Sequence, residues 1–100
     1  MVVFDKVAWH IDGGESKETI VKRFRILFDF LHKNSLLSRE GEEVYEFGID
    51  SSISLHERLL TTEGATLMKN KYDESLTISN STLFSFWEQA LNCENKRNNS

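Results

Sequence analysis

Three histidines, one cysteine and a run of carboxylates are the residues of this chain able to do chemistry, and their spacing limits which chemistry that is. His10, His32 and His56 are the only imidazoles, and no two are four residues apart or framed by an HExxH pattern. A metal needs three or four converging ligands, so no ligand set is read here. Cys93 lies near the C-terminal end ahead of a polar stretch, without the rigid, base-bearing surroundings that turn a thiol into a nucleophile. Gly13 and Gly14 form neither GxGxxG nor a P-loop, and no cofactor is implied. Glu40, Glu42, Glu43 and Glu46 fall within one short helix, where like charges face water instead of dividing into a neutral acid and a charged base. No catalytic residue is assigned, and the chain reads as a non-enzyme.

Charge distribution is the remaining signal. Residues 17–33 carry five basic side chains against Glu18 and Asp29, a net +3, whereas residues 39–50 carry one against five acids, a net −4. The plain expectation is two solvated helix faces that attract one another within the fold. The functional expectation is a patch that steers a basic protein partner, since clustered charge raises association rates. Its residues are Glu40, Glu42, Glu43, Tyr45, Glu46 and Asp50, with Tyr45 as the apolar anchor, because exposed charges alone contribute little affinity. The overall charge of −4 disfavours nucleic acid as the partner.

The element expected to organise the rest is a helix over 17–33. Ile20, Phe24, Leu27, Phe28 and Leu31 recur at helical spacing and mark a buried face. Ser16 is placed to cap it. Ahead of it, residues 1–11 read as an irregular or short helical piece, with a strand as the alternative. Trp9 is expected to pack on the central helix and His10 to find a hydrogen-bond partner nearby. Gly13 and Gly14 break that piece. Ser38 is expected to cap a second helix over 39–47 that turns Val44 and Phe47 inward and stops at Gly48, with Leu37 as a staple. Residues 49–60 fit a helix or a strand, and helix is the reading adopted. Thr61 or Thr62 caps a helix to about Leu76 with Ala65, Met68, Tyr72 and Leu76 on its inner face. Ser81 or Thr82 opens a last helix bearing Leu83, Phe84, Phe86, Trp87, Ala90 and Leu91. No internal repeat is read.

One hundred residues suffice for one core. The fold class expected is mainly α: a single domain over residues 1–93 with four or five helices, room for a short β element, and a disordered polar tail over 94–100. Charges interrupt every apolar run well short of a membrane span. The first residues lack the pattern of a signal peptide, and a single cysteine suits a reducing compartment. A cytoplasmic protein without membrane contact is expected.

Three stretches carry a resemblance. Phe4-Asp5-Lys6-Val7-Ala8-Trp9-His10 resembles the Tyr-Asp-x-Ala-x-Trp-His opening of a family of small, uncharacterised bacterial domains. The run from Leu27 through His32-Lys33-Asn34-Ser35-Leu36-Leu37-Ser38 is similar to that family's aromatic helix ending in Asn-x-Leu-(Ile/Leu)-Ser. Leu60-Thr61-Thr62-Glu63-Gly64, followed by Tyr72, resembles its Leu-x-x-Glu-Gly element. Arg23, Phe24 and Arg25 stand where the family often has His-Ile-Gly, and no counterpart is found after Ser79. Such domains look like those encoded beside bacterial toxins. The resemblance therefore implies an immunity protein that neutralises one cognate toxin, and the acidic patch is compatible with a toxin of basic surface. The alternatives are a winged-helix-like DNA-binding regulator and a small scaffold or dimerisation module using Phe84, Phe86 and Trp87. A homodimer is compatible with the chain.

Overall fold

The computed structural model describes residues 2–98, with side chains through Asn95. Strand β1 (Val3–Lys6) leads directly into α1 (Val7–Asp12), followed by α2 (Lys17–Lys33), α3 (Arg39–Phe47), β2 (Ser54–His56), a 3₁₀ turn at Glu57–Leu59, α4 (Thr62–Ser75) and α5 (Asn80–Asn98). The described residues thus form a mainly helical single domain with a small two-stranded sheet.

The expected face of α2 is buried throughout, with Ile20, Phe24, Leu27, Phe28 and Leu31 all at 3% exposure or less. Phe30, which lies off that face, is equally buried. Its ring stacks on Trp87 at 5.9 Å and meets Phe84 edge-on at 6.0 Å, so α2 packs on α5 as well as on the other elements around it. Trp87 also meets Phe86 edge-on at 5.2 Å. Aromatic pairs in such geometry add about 0.5–1.5 kcal/mol beyond their burial. With Trp87 buried in this way, it is unavailable to the dimerisation surface considered above.

The 49–60 region is a strand and a 3₁₀ turn, not a helix. β2 pairs antiparallel with β1, Asp5 opposite Leu55 and Lys6 opposite Ser54, and the ladder bulges between Val3 and Asp5. The opening segment therefore contains a strand followed by a six-residue helix. Leu55 is buried, and the alternation Ser54-Leu55-His56 reflects one buried and two half-buried positions. Tertiary pairing decides the matter, since the local pattern fits both states.

A short repeat, overlooked in the sequence pattern, organises the middle of the fold. Leu36-Leu37-Ser38-Arg39-Glu40-Gly41 is matched by Leu59-Leu60-Thr61-Thr62-Glu63-Gly64. The two Leu-Leu pairs lie antiparallel around a bridge between Leu37 and Leu60. Their bonds are reciprocal: the Ser38 amide donates to the Leu59 carbonyl and the Thr61 amide to the Leu36 carbonyl, each at 2.9 Å. Each hydroxyl then caps its helix by accepting from the glycine amide three residues on, Gly41 to Ser38 Oγ at 3.2 Å and Gly64 to Thr61 Oγ1 at 3.1 Å. Such caps contribute about 1 kcal/mol each. The glycines are required by close approach. A Cβ on Gly41 would intrude on the Leu59 carbonyl, and one on Gly64 would lie 2.7 Å from the Leu36 carbonyl oxygen. Gly41→Ala is expected to lose about 1–3 kcal/mol in urea melts, because backbone on both sides must shift. At Gly14 the reason for glycine differs: nothing lies near its Cβ, but its φ of 95° is one that L side chains rarely adopt.

Several expected positions differ. Trp9 is 53% exposed and lies under the Lys6 ammonium, 5.6 Å from its ring centroid, instead of packing on α2. Phe47 is 91% exposed and Leu76 46%; each sits at the C-terminal end of its helix, beyond the neighbouring element that would cover it. Ser16 occupies the N-cap position of α2 without accepting a side-chain cap bond. The segment expected as a tail continues α5 as far as Asn98, and Glu94 is buried and accepts from Asn70 Nδ2 at 3.3 Å. Residues 99–100 of that tail lie outside the described residues. No helix among the described residues is long and apolar enough to cross a membrane.

Candidate protein-binding surface

Two groups of polar side chains stand out, one inside the fold and one on its surface. The inner group joins β1, α1, the loop after it and α4. His10 Nε2 lies 2.6 Å from Asp5 Oδ2, and Nδ1 lies 2.6 Å from Glu15 Oε2. Tyr72 donates its hydroxyl to the same Asp5 oxygen at 2.5 Å, and the Lys6 amide donates to Asp5 Oδ1 at 2.8 Å. A carboxylate on each ring nitrogen is satisfied only by the imidazolium, which donates twice. The pKa of His10 is accordingly raised. Burial acts to lower it, but the hydrogen bonds to Asp5 and Glu15, reinforced by their charges, outweigh burial. Burial and the Asp5 carboxylate likewise push the Tyr72 phenol up, partly offset by Arg23.

This Tyr72–Asp5–His10–Glu15 chain has the composition of a proton relay. Its surroundings are those of a brace. The cavity that Tyr72 lines with Arg23, Phe24, Leu27, Ser75, Leu83 and Trp87 encloses only about 10 Å³, room for one water at most. Phe24 covers His10 edge-on at 6.2 Å. The expectation that His10 is held by a nearby hydrogen bond is met twice over. Asp5, the hub, escaped sequence reasoning because nothing local marks a strand aspartate as buried; its place beside His10 in Asp-x-x-x-x-His was the available signal.

The outer group is α3 and the loop that follows. Five of the six acidic-patch residues divide into two groups. Glu42 Oε2 accepts from His32 Nδ1 at 2.7 Å, and the Tyr45 hydroxyl donates to Asp29 Oδ1 at 2.6 Å while its ring stacks on His32 at 4.6 Å. These two residues tie α3 to α2. The bond to Asp29 leads the causes that raise the Tyr45 pKa. Tyr45 is half-buried, with its hydroxyl on Asp29 and its ring against His32.

Glu40, Glu43 and Asp50 take the other direction. They line an open groove of about 250 Å³ with Val44, Phe47, Gly48, Ser52 and Ile53. Glu46 is exposed outside this lining. Asp50 Oδ1 accepts from the Ser52 hydroxyl at 2.5 Å and its amide at 2.8 Å. Those bonds hold its carboxyl below the ordinary range, so it stays charged. Phe47 stands at the rim with almost its whole side chain in water, beside Gly48, whose φ of 118° turns the chain away at the helix end. Helical spacing from Val44 pointed Phe47 inward; only the position of the next segment shows that nothing covers it.

The remaining reactive residues lie elsewhere. Cys93 is exposed on α5. His56 is half-buried on β2, and its Nδ1 has no hydrogen-bond partner among the described residues. No group of three or more His, Cys, Asp or Glu among the described residues is arranged to hold a metal ion. Comparison with protein-family models, curated proteins and solved structures returns no match.

Proposed function

We propose that this protein is a cytoplasmic immunity protein that binds a cognate toxin through the α3 groove and blocks it without catalysis. The observation that carries the reading is Phe47, 91% exposed at the rim of a groove bearing Glu40, Glu43 and Asp50. Phe47 does not stand alone there, since the partly buried Val44 and Ile53 line the same groove and give it an apolar strip between the carboxylates. Aromatic anchors ringed by charge are where interface energy concentrates. The carboxylates favour a basic partner, speed encounter with it, and make the on-rate fall as salt rises. The resemblance of 4–10, 27–38 and 60–72 to small bacterial domains encoded beside toxins supplies the kind of partner.

The test pairs the chain with the product of the adjacent gene and measures growth rescue and binding kinetics. Phe47→Ala is expected to weaken binding about 30-fold or more, as loss of a hot-spot residue does. Reversing Glu40, Glu43 and Asp50 to Lys should lower the on-rate at least about tenfold and abolish its salt dependence. A harmless neighbour, or rescue and kinetics untouched by both changes, rules this mechanism out.

A further inference from the structure

The opposite charges of 17–33 and 39–50 meet only in part inside the fold. α2 and α3 are joined through His32–Glu42 and Tyr45–Asp29. Among the described residues no ion pair links Lys17, Lys22 or Arg25 to Glu40, Glu43, Glu46 or Asp50. The ion-pair partner of Glu43 is Arg39 on its own helix, at 3.8 Å with both side chains largely exposed. The basic residues instead line a groove of their own, about 380 Å³, formed by Lys17, Glu18, Val21, Lys22 and Arg25.

The two grooves adjoin. Arg25 Nη2, on the basic side, lies 3.5 Å from the carbonyl oxygen of buried Ile49, and the exposed Asp50 that follows lines the acidic side, so the backbone at 49–50 is the ridge between them. One side of the ridge is acidic with Phe47 at its edge. The other is basic with the partly buried Val21 at its floor.

We propose that a second copy of this chain docks on this face, about a two-fold axis through the ridge at Ile49–Asp50. Such an axis lays the acidic groove of each copy over the basic groove of the other, so every favourable contact forms twice. Phe47 of one copy then covers Val21 of its partner within reach of the Lys22 and Arg25 cations, which favour an aromatic face. The complementary surface belongs to the molecule itself, and it buries Phe47, the most exposed large apolar side chain among the described residues. The contact uses the face assigned above to the toxin, so self-association would shield Phe47 until a tighter partner displaces the second copy. The pairing does not rest on the immunity reading, because it is measured on this chain alone.

Sedimentation equilibrium of the full chain across a concentration series provides the test. A monomer–dimer equilibrium is expected at about 20 mM salt, weakened at least about tenfold at about 500 mM. Glu43→Lys and Lys22→Glu should each weaken it about tenfold, since each places like charges opposite one another twice. An equimolar mixture of the two single variants should associate as well as the unaltered chain, because both contacts in the mixed pair are then opposite in sign. Phe47→Ala should dissociate the pair while leaving circular dichroism unchanged. A chain monomeric at every concentration, or a dimer that Phe47→Ala and both charge reversals leave intact, overturns the proposal. Recovery in the double variant but not in the mixture also overturns it, since that places both charges in a contact within one copy.

Discussion

Asp5→Ala is expected to cost about 3–5 kcal/mol of folding stability, the range for removing one partner of a buried charged pair. Asp5 is 5% exposed and accepts from Tyr72, His10 and the Lys6 amide. Its removal strands a buried phenol and a partly buried imidazolium, and each loses more than the net value of one hydrogen bond. The same variant should alter the pH dependence. His10 has its pKa raised above the ordinary 6.5 in the folded protein, so the folded state binds its proton more tightly than the unfolded chain does. The stability this contributes is fully present below about pH 6.5 and is lost as pH rises through the raised folded value. In urea melts from about pH 6 to 9, wild-type stability should therefore decline with pH, and Asp5→Ala should flatten that decline. A His10 titration by NMR at or below the ordinary value, together with a loss under about 1 kcal/mol, would show that the brace is unimportant.

Leu27→Ala should lose about 2–5 kcal/mol, through transfer of the side chain and the cavity it leaves. Leu27 is 3% exposed and already borders the small cavity between α2, α4 and α5. Its neighbours there include Phe24, Tyr72 and Trp87. Tyr72 is tied to Asp5 and Trp87 is stacked on Phe30. Rings held this way cannot collapse into the space, which favours the upper part of the range. The measurement is the urea midpoint at constant slope; a loss below about half a kcal/mol would show the site relaxing freely.

Helices whose signals are local could be read from the residues alone. The face of α2 was legible because burial on one side of a helix repeats every three to four residues whatever covers it. The starts of α3 and α4 were legible because Ser38 and Thr61 cap within four residues. The clustering of acids at 39–50 was equally local. Tertiary structure alone decided everything that depends on which segment lies opposite. β2 exists because β1, some fifty residues earlier, offers it a ladder. The Leu-Leu repeat acquires meaning only when its two copies pair and force glycine at 41 and 64. Phe47 ends in water instead of facing inward because no described segment reaches it, while α2 reaches Tyr45 two residues earlier. Asp5 becomes a hub because Tyr72 arrives from the far side of the chain. A side chain's own helix sets its direction, but burial and pairing are properties of the neighbour, and the neighbour is chosen by the fold.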